Sequence, residues 1–385
     1  MNCKRSQTGL NDSLESFQKD FEVPVLTRAP VILTEEHLTE EQERSVSVSV
    51  KEVAAEAGVS VGTVSNVLNR PQVVSERTIS KVTAAIEKLG FVRNDAARQL
   101  RAGHSRSFGL VVLDARNPFF MDVTQGAQHR ALDNGYTVLM GASDNSLSTE
   151  QQLLDLFEEQ RVAGVLISPL HSDLSRLWRI RESGTPVVLV DRGSGDRSFS
   201  SVSVDDVEGG RIAARHLLDI GRRRIAFVGG PQTIEQVQHR LSGAQSVLAQ
   251  VPDAMLEHLP TKNLTVLEGR SAGERILAMD PAQRPDGIFA ANDLLALGIL
   301  QALIMSDEVR VPDDIALVGY DNIDFAESAI IPITTVRQPA EEIGRTAVDV
   351  LLREAEAGDK AVREQFVFTP KLVVRASTVP PTQAR

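Results

Sequence analysis

Residues 49–69 read SVKEVAAEAGVSVGTVSNVLN, and this one short run holds two capped helices and a glycine-bearing turn. Ser49 and Glu52 stand three apart, the spacing of a capping box, in which each side chain satisfies a backbone donor that the helix start leaves orphaned. Val50, Val53, Ala54 and Ala57 then recur at helical spacing, which predicts a first helix of about two turns. Gly58 supplies a left-handed stop and Ser60 a fresh N-cap. Val64, Val67 and Leu68 form the apolar face of a second helix, whose other face offers Val61, Gly62, Thr63, Ser65 and Asn66. This is helix-turn-helix spacing, and such a second helix is the element that enters a major groove. The competing reading is a helical hairpin inside some larger core, and the sequence downstream speaks against it.

Ser75 is another N-cap, after which Ile79, Val82, Ile86 and Leu89 share a face until Gly90, giving a third helix that closes a small all-α domain. Residues 50–107 carry nine Lys and Arg against five acids, about +4, in a chain whose formal net charge is -11. Local charge opposite to the rest marks a face for a polyanion.

The 385 residues, 42% of them hydrophobic, supply a headpiece and a larger core. Neither a long apolar run nor a basic start followed by an apolar core occurs, so a cytoplasmic protein without membrane contact is expected. Cys3 is the single cysteine, which removes disulfides and thiolate metal cages. Residues 1–45 hold nine acids against five bases and read as a flexible acidic extension. A translation start at Val46, Val48 or Val50 would give a short lead into the first helix and leave that extension out.

From Phe108 the periodicity changes to short apolar runs separated by amphipathic helices. Strands are expected at 108–113, 136–141, 164–168, 186–190, 201–204, 224–229, 287–291, 315–320 and 334–338. Unbroken Val/Ile/Leu runs indicate strands covered on both faces, hence parallel sheets with right-handed crossovers. Counted in order they make two sheets, and ligands of such sheets bind beyond the carboxyl ends of the strands. Gly229-Gly230-Pro231 is neither a dinucleotide fingerprint nor a phosphate-binding loop, and no catalytic serine or metalloprotease motif is present. No cofactor, metal or catalytic residue is therefore expected.

The polar residues at those strand ends are Asn117, Asp191, Arg192, Arg240, Asn292, Asp321 and Gln338, none in a nucleophile-base pairing. Asp, Asn and Arg side chains suit vicinal hydroxyls, each of which donates once and accepts up to twice, and Phe119 and Phe120 could cover a ring. Singly each has a plainer reading: Asn292 and Asp293 cap the helix at Leu294, Asp321 caps the next, and the two phenylalanines are core. His171 and Trp178 are expected to pack.

Residues 50–101 closely resemble the DNA-binding headpiece of LacI/GalR-type transcriptional regulators. The resemblance is carried by VAAEAGVSVGTVSNVLN, the VSERT start of the third helix, Gly90-Phe91 and NDAARQLR at 94–101. It implies base reading by Val61, Gly62 and Asn66, phosphate contacts from Thr63, Ser65 and Ser75, and a hinge helix with Asn94, Arg98 and a leucine, Leu100, wedged into the minor groove. Two residues depart from the family pattern. Asn66 replaces the arginine most common there, and Arg93-Asn94 replaces Pro-Asn, which leaves the hinge entry less restricted.

The stretch from 108 to about 378 resembles the effector domain of the same family and, through it, ribose-type periplasmic sugar-binding proteins. NPFF (117–120), LVDR (189–192), RLSG (240–243), ANDLLALG (291–298), VGYD (318–321) and TTVRQ (334–338) occur in the family's order. The implied plan is a helix-turn-helix domain (46–92), a hinge (93–105), an α/β two-lobed effector and dimerisation domain (106–378) and a tail (379–385). Lobe 1 comprises 106–203 and 340–367 and lobe 2 comprises 204–338 and 368–378, with two parallel sheets and three crossovers. The implied activity is a repressor on a pseudo-palindromic operator in double-stranded DNA. Its control is by a monosaccharide or derivative held by Asn117, Phe119, Phe120, Asp191, Arg192, Arg240, Asn292, Asp321 and Gln338. Nucleobase-sensing relatives carry other residues at the first loop and around 240, so a purine or other metabolite acting as corepressor is the alternative, followed by a sugar-binding protein with no regulatory role. The sequence ends without the leucine-heptad helix of tetrameric relatives, so a homodimer is expected.

Overall fold

The structure, a computed structural model, describes residues 48–91, 104–195 and 197–379. The 1–45 extension, the hinge residues Arg93, Asn94, Arg98 and Leu100, and 380–385 lie outside the described residues. Contacts divide the chain into two units, Met1–Asn94 and Asp95–Arg385.

The first unit is built by its caps. Helix α1 (Val50–Ala57) starts with both halves of the capping box, Ser49 N donating to Glu52 Oε2 at 2.7 Å and Glu52 N to Ser49 Oγ at 3.4 Å. Gly58 ends it at φ 65°. Ser60 caps α2 (Val61–Asn69), and Ser75 caps α3 (Glu76–Leu89), which Gly90 ends at φ 62°. Val53, Ala54, Val64, Val82, Ala85 and Phe91 fill the small core. Each cap contributes on the order of 1 kcal/mol, a large share in so small a domain.

In the second unit strands alternate with helices. The chain runs β1 (Ser107–Val112), α4 (Pro118–Asp133), β2 (Thr137–Ala142), α5 (Leu147–Glu159), β3 (Gly164–Ile167), α6 (Ser175–Glu182), β4 (Val187–Val190) and β5 (Ser200–Val204). It continues with α7 (Asp206–Asp219), β6 (Arg224–Val228), α8 (Glu235–Leu248), β7 (Met255–Leu259), α9 (Val266–Leu277), β8 (Gly287–Ala290), α10 (Asp293–Met305), β9 (Ala316–Asp321), α11 (Asp324–Ser328) and β10 (Thr334–Arg337). Helix α12 (Ala340–Ala357), β11 (Gln365–Phe368) and β12 (Lys371–Val373) complete it. The first sheet has the order β11-β5-β4-β3-β1-β2 and the second β12-β10-β9-β8-β6-β7. All pairings are parallel except that of β12 with β10. The chain passes between the sheets three times, after β5, between β10 and β11, and between β11 and β12, giving two lobes. Inner strands such as β3, β4 and β8 are buried along their length, as continuous apolar runs require.

The sequence reading did not foresee β7 and β11. Both are edge strands with partly exposed residues, so neither shows the unbroken apolar run that marks the interior strands.

Candidate functional site

The ends of β1, β4, β6, β8, β9 and β10 face a cavity between the lobes, with about 50 Å³ of space open to the centres of water-sized molecules. Asn117, Phe119, Phe120, Asp191, Arg240, Asn292, Asp321 and Gln338 all line it. Of the residues expected there, Arg192 alone is not in the lining. Its guanidinium donates to the carbonyls of Pro169 and His171 and pairs with Glu235. Trp178 and His171 are also outside the lining. Trp178 lies 5.0 Å from the Phe199 ring, with the Arg181 guanidinium 4.9 Å from its own.

Several lining residues have two structural duties. Asn117 caps α4, its Oδ1 accepting from Phe119 N at 3.1 Å, while its Nδ2 donates to Asp321 Oδ2 at 3.1 Å across the lobes. Asn292 caps α10 through Leu295 N and donates from Nδ2 to the Leu264 carbonyl. Gln338 Nε2 donates to Asp321 Oδ1 at 2.8 Å. Asp191 and Asp321 hold left-handed backbone angles, φ 58° and 107°, conformations that cost energy for residues with a Cβ and that concentrate at functional sites. Asp293 stays out of the cavity. It accepts from Thr335 Oγ1 at 2.7 Å and Ile323 N at 3.0 Å, fixing the loop that follows Asp321.

Arg240 is the electrostatic centre. Its Nε donates to Asp206 Oδ1 at 2.8 Å and its Nη1 to the Ala291 carbonyl at 2.8 Å, with Asp321 Oδ1 at 3.9 Å and the Tyr320 ring centroid 3.7 Å from Cζ. Close packing of α7 on α8 brings Arg240 to Asp206. A Cβ on Gly243 would collide with the Val207 carbonyl, and one on Gly210 with that of Arg240. Burial opposes the Arg240 charge, but the carboxylates of Asp206, Asp321 and Asp191 outweigh it and hold the guanidinium protonated. Burial also pushes Asp321 up to about 6, against Arg240 and the Asn117 and Gln338 donors. Asp191 is also raised, by burial first and by the neighbouring Asp206 charge second.

Among the described residues, three oxygens of the lining find no partner: Asp191 Oδ1, Asn145 Oδ1 and Gln338 Oε1. The sequence reading missed Asn145, Gln236, Asp114 and the apolar liners Leu113, Ile234, Val237 and Leu264. Gln236 donates from Nε2 to both Asp191 O (2.6 Å) and Oδ2 (2.9 Å). It lies in the loop-to-helix segment beyond β6, where the strand-end rule would have found it.

In the first unit, Val61, Gly62, Ser65, Asn66 and Ser75 are exposed and Thr63 half-buried. Val61 keeps 45% of its surface exposed, and Val73 of the same unit keeps 66%. A Cβ on Gly62 would meet nothing nearer than Ser60 Oγ at 3.7 Å, so packing within the unit does not require glycine there. Thr63 and Ser75 are engaged in caps, Ser60 Oγ lying 2.9 Å from Thr63 Oγ1 and Thr78 N donating to Ser75 Oγ at 3.4 Å. Ser65 Oγ accepts from Asn69 Nδ2 at 3.3 Å.

The family described as bacterial regulatory proteins, lacI family, matches residues 49–94, and the periplasmic binding protein-like domain matches 214–378. The HTH-type transcriptional repressor PurR of Photobacterium profundum is 31% identical over 338 residues, 86% of this chain and 98% of that protein. The chain belongs to the LacI family. The ribose operon repressor of Bacillus subtilis is 33% identical over 304 residues, 79% of this chain and 90% of its own length. The crystal structure of the Lac repressor dimer bound to operator and an anti-inducer superposes with a TM-score of 0.75 at 27% identity, covering 86% of this chain and 99% of that one. This LacI-family chain is accordingly a DNA-binding transcriptional regulator with an effector-binding domain. Among the described residues no helix is long and apolar enough to cross a membrane.

Proposed function

We propose that this repressor acts in the cytoplasm as a homodimer on a pseudo-palindromic operator, and that a monosaccharide or close derivative closed between the lobes sets its operator affinity. One observation carries the effector class: among the described residues Asn145 Oδ1 and Gln338 Oε1 are unpartnered acceptors, and Asp191 Oδ1 in the same lining is unpartnered and can accept or, when protonated, donate. Hydroxyls match that mixture because each both donates and accepts. Gln236 spends its amide donors on Asp191, while Asn117, Asn292 and Gln338 each use one amide N–H within the protein and keep a second. A buried acceptor left unpaired costs roughly 1–3 kcal/mol, so the fitting ligand brings several donors, as vicinal hydroxyls do. A phosphate would meet Asp191 and Asp321 with Arg240 already paired, which favours an unphosphorylated sugar. In this reading Asn117, Asp191, Arg240, Asn292, Asp321 and Gln338 hold hydroxyls and Phe119 and Phe120 cover the ring. The molecule is a binding switch and not an enzyme. A purine is the second reading, favoured by the relatives named PurR. A nucleobase brings fewer donors and its own acceptors, a poorer match to the unpaired oxygens.

In the headpiece, Asn66 pairs with adenine, Val61 touches a thymine methyl, Gly62 allows close approach, and Thr63, Ser65 and Ser75 hold phosphates. Asn94, Arg98 and Leu100 form the hinge contacts of the same reading. Leu132, Leu139, Met140, Leu147 and Leu156 are exposed on β2 and its flanking helices, an apolar face for a second copy. The dimer sets two headpieces about one helical turn apart on DNA.

A melting-shift screen over D-ribose and other neutral sugars, their phosphates, and nucleobases tests the effector class. A neutral sugar should raise the melting temperature, and Asp191→Asn should diminish that shift. Stabilisation by nucleobases alone would overturn the sugar reading.

A further inference from the structure

Arg192 stands beside the cavity without lining it. It leaves the end of β4 in the first lobe, and its Nη1 donates to the carbonyls of Pro169 (3.2 Å) and His171 (2.7 Å), both beyond β3. Those two bonds aim the other edge of the guanidinium at the second lobe, where Nη2 lies 2.7 Å from Oε2 of Glu235, the first residue of α8. The Arg192 side chain is 10% exposed. The adjacent pair repeats the pattern, with Gln236 of the second lobe donating to Asp191 of the first. Two further titratable groups face the pair. Buried Glu150 feels the Arg192 charge from within the first lobe, and His239 Nε2 lies 3.9 Å from Glu235 Oε1 in the second.

We propose that Arg192 and Glu235 form a clasp between the lobes, positioning residues that set effector affinity without touching the effector. The argument is thermodynamic. A planar guanidinium already held by two carbonyls of its own lobe loses little freedom when it engages a carboxylate across the gap. Such a charge-assisted bond, shielded from water on the Arg192 side while the Glu235 side chain keeps 34% of its surface, favours the closed arrangement. Apparent affinity scales with the fraction of protein in the binding-competent state, so a weaker clasp lowers affinity by the factor that closure loses, with every ligand contact intact. The inference rests on the two-lobed fold and holds whether the effector is a sugar or a purine.

The test measures closure without ligand. In the full chain with Cys3→Ser, spin labels at Gln160→Cys and Gln250→Cys, exposed positions on opposite lobes, report the interlobe distance by pulsed electron resonance. The labelled chain is diluted into unlabelled chain so that a dimer carries one labelled copy. Glu235→Gln, which preserves shape, and Arg192→Lys, which preserves charge, should each lower the closed-to-open ratio by about five- to tenfold. His239→Gln should leave it unchanged. D-ribose, if it binds, should lose affinity by the same factor in both clasp variants. A distance distribution unmoved by both variants, one shifted equally by His239→Gln, or a parent chain already open without ligand would each overturn the clasp. If D-ribose does not bind, the sugar reading suffers while the distances still decide this proposal.

Discussion

The headpiece and the cavity are opposite solutions to presenting polar chemistry. In the headpiece the outward hydroxyls of Thr63, Ser65 and Ser75 bond only to groups three or four residues away in the chain. Asn66 is exposed and its side chain has no hydrogen-bond partner among the described residues, and a Cβ on Gly62 would make only an ordinary contact with Ser60 Oγ. In the cavity nearly every polar group already binds another, and Arg240, Asp206, Asp321, Asn117 and Gln338 form one buried network. A surface that reads a large partner needs a stable scaffold beneath it. A surface that encloses a small one must be neutralised from within, because a buried charge without a partner is far more costly than an exposed one.

The strongest way to break this contrast is Arg240→Met. It leaves Asp206, Asp321 and Asp191 buried with their shared counter-charge gone, and should destabilise the effector domain by about 3–5 kcal/mol. Denaturant unfolding followed separately in each domain should show the headpiece unaffected. A loss below about 1 kcal/mol would mean that the network is not electrostatically coupled.

Titration sharpens the contrast next. Asp321 is held near 6 against an ordinary 3.8, so between those values the folded protein keeps a proton that the unfolded chain has released. Its contribution to stability is therefore full below pH 3.8 and declines as pH rises through that window, by roughly 3 kcal/mol at 1.36 kcal/mol per unit. Asp321→Asn should flatten the stability curve there, as measured by urea unfolding at fixed pH steps. An unchanged slope would show that Asp321 does not carry the effect. In the headpiece, Glu52 shifts the opposite way, lowered by the Ser49 backbone and hydroxyl donors at the surface.

On the headpiece side, Asn66→Ala should leave stability within about 0.5 kcal/mol and relax preference at one base pair per half-site by roughly 1–3 kcal/mol. Selection of bound sequences from a random pool measures it. Uniform weakening on all sequences would move Asn66 from base reading to phosphate contact.

How legible each region was in the sequence follows from the same difference. Ser49, Glu52, Gly58, Ser60, Ser75 and Gly90 act within a few residues of themselves, so their spacing alone places three helices where the structure has them. The interior strands announce themselves by apolar runs, and their carboxyl ends locate Asp191, Asn292 and Asp321. What spacing cannot carry is direction. The LVDR motif places Arg192 at a strand end but says nothing of which way its guanidinium turns, and that depends on the carbonyls of Pro169 and His171, some twenty residues upstream. Gln236 stood where the strand-end rule could find it, but its partner, Asp191 in the other lobe, is not legible from spacing.

Ser75 tests the contrast at its smallest scale, because it is proposed to serve both scaffold and surface. Its Oγ accepts from Thr78 N and lies 2.9 Å from Thr78 Oγ1, so one hydroxyl both caps α3 and is available to a phosphate. Ser75→Ala removes both roles and should cost about 1 kcal/mol of headpiece stability, whereas Ser75→Gly, a tolerated N-cap, should cost only a few tenths. If the hydroxyl also holds a phosphate, the two variants should lose DNA affinity equally on specific and random sequence despite their unequal stabilities, by thermal unfolding and fluorescence anisotropy. Affinity that follows stability would instead make Ser75 a cap and nothing more, and the division between scaffold and reading surface in the headpiece would then be complete at that position.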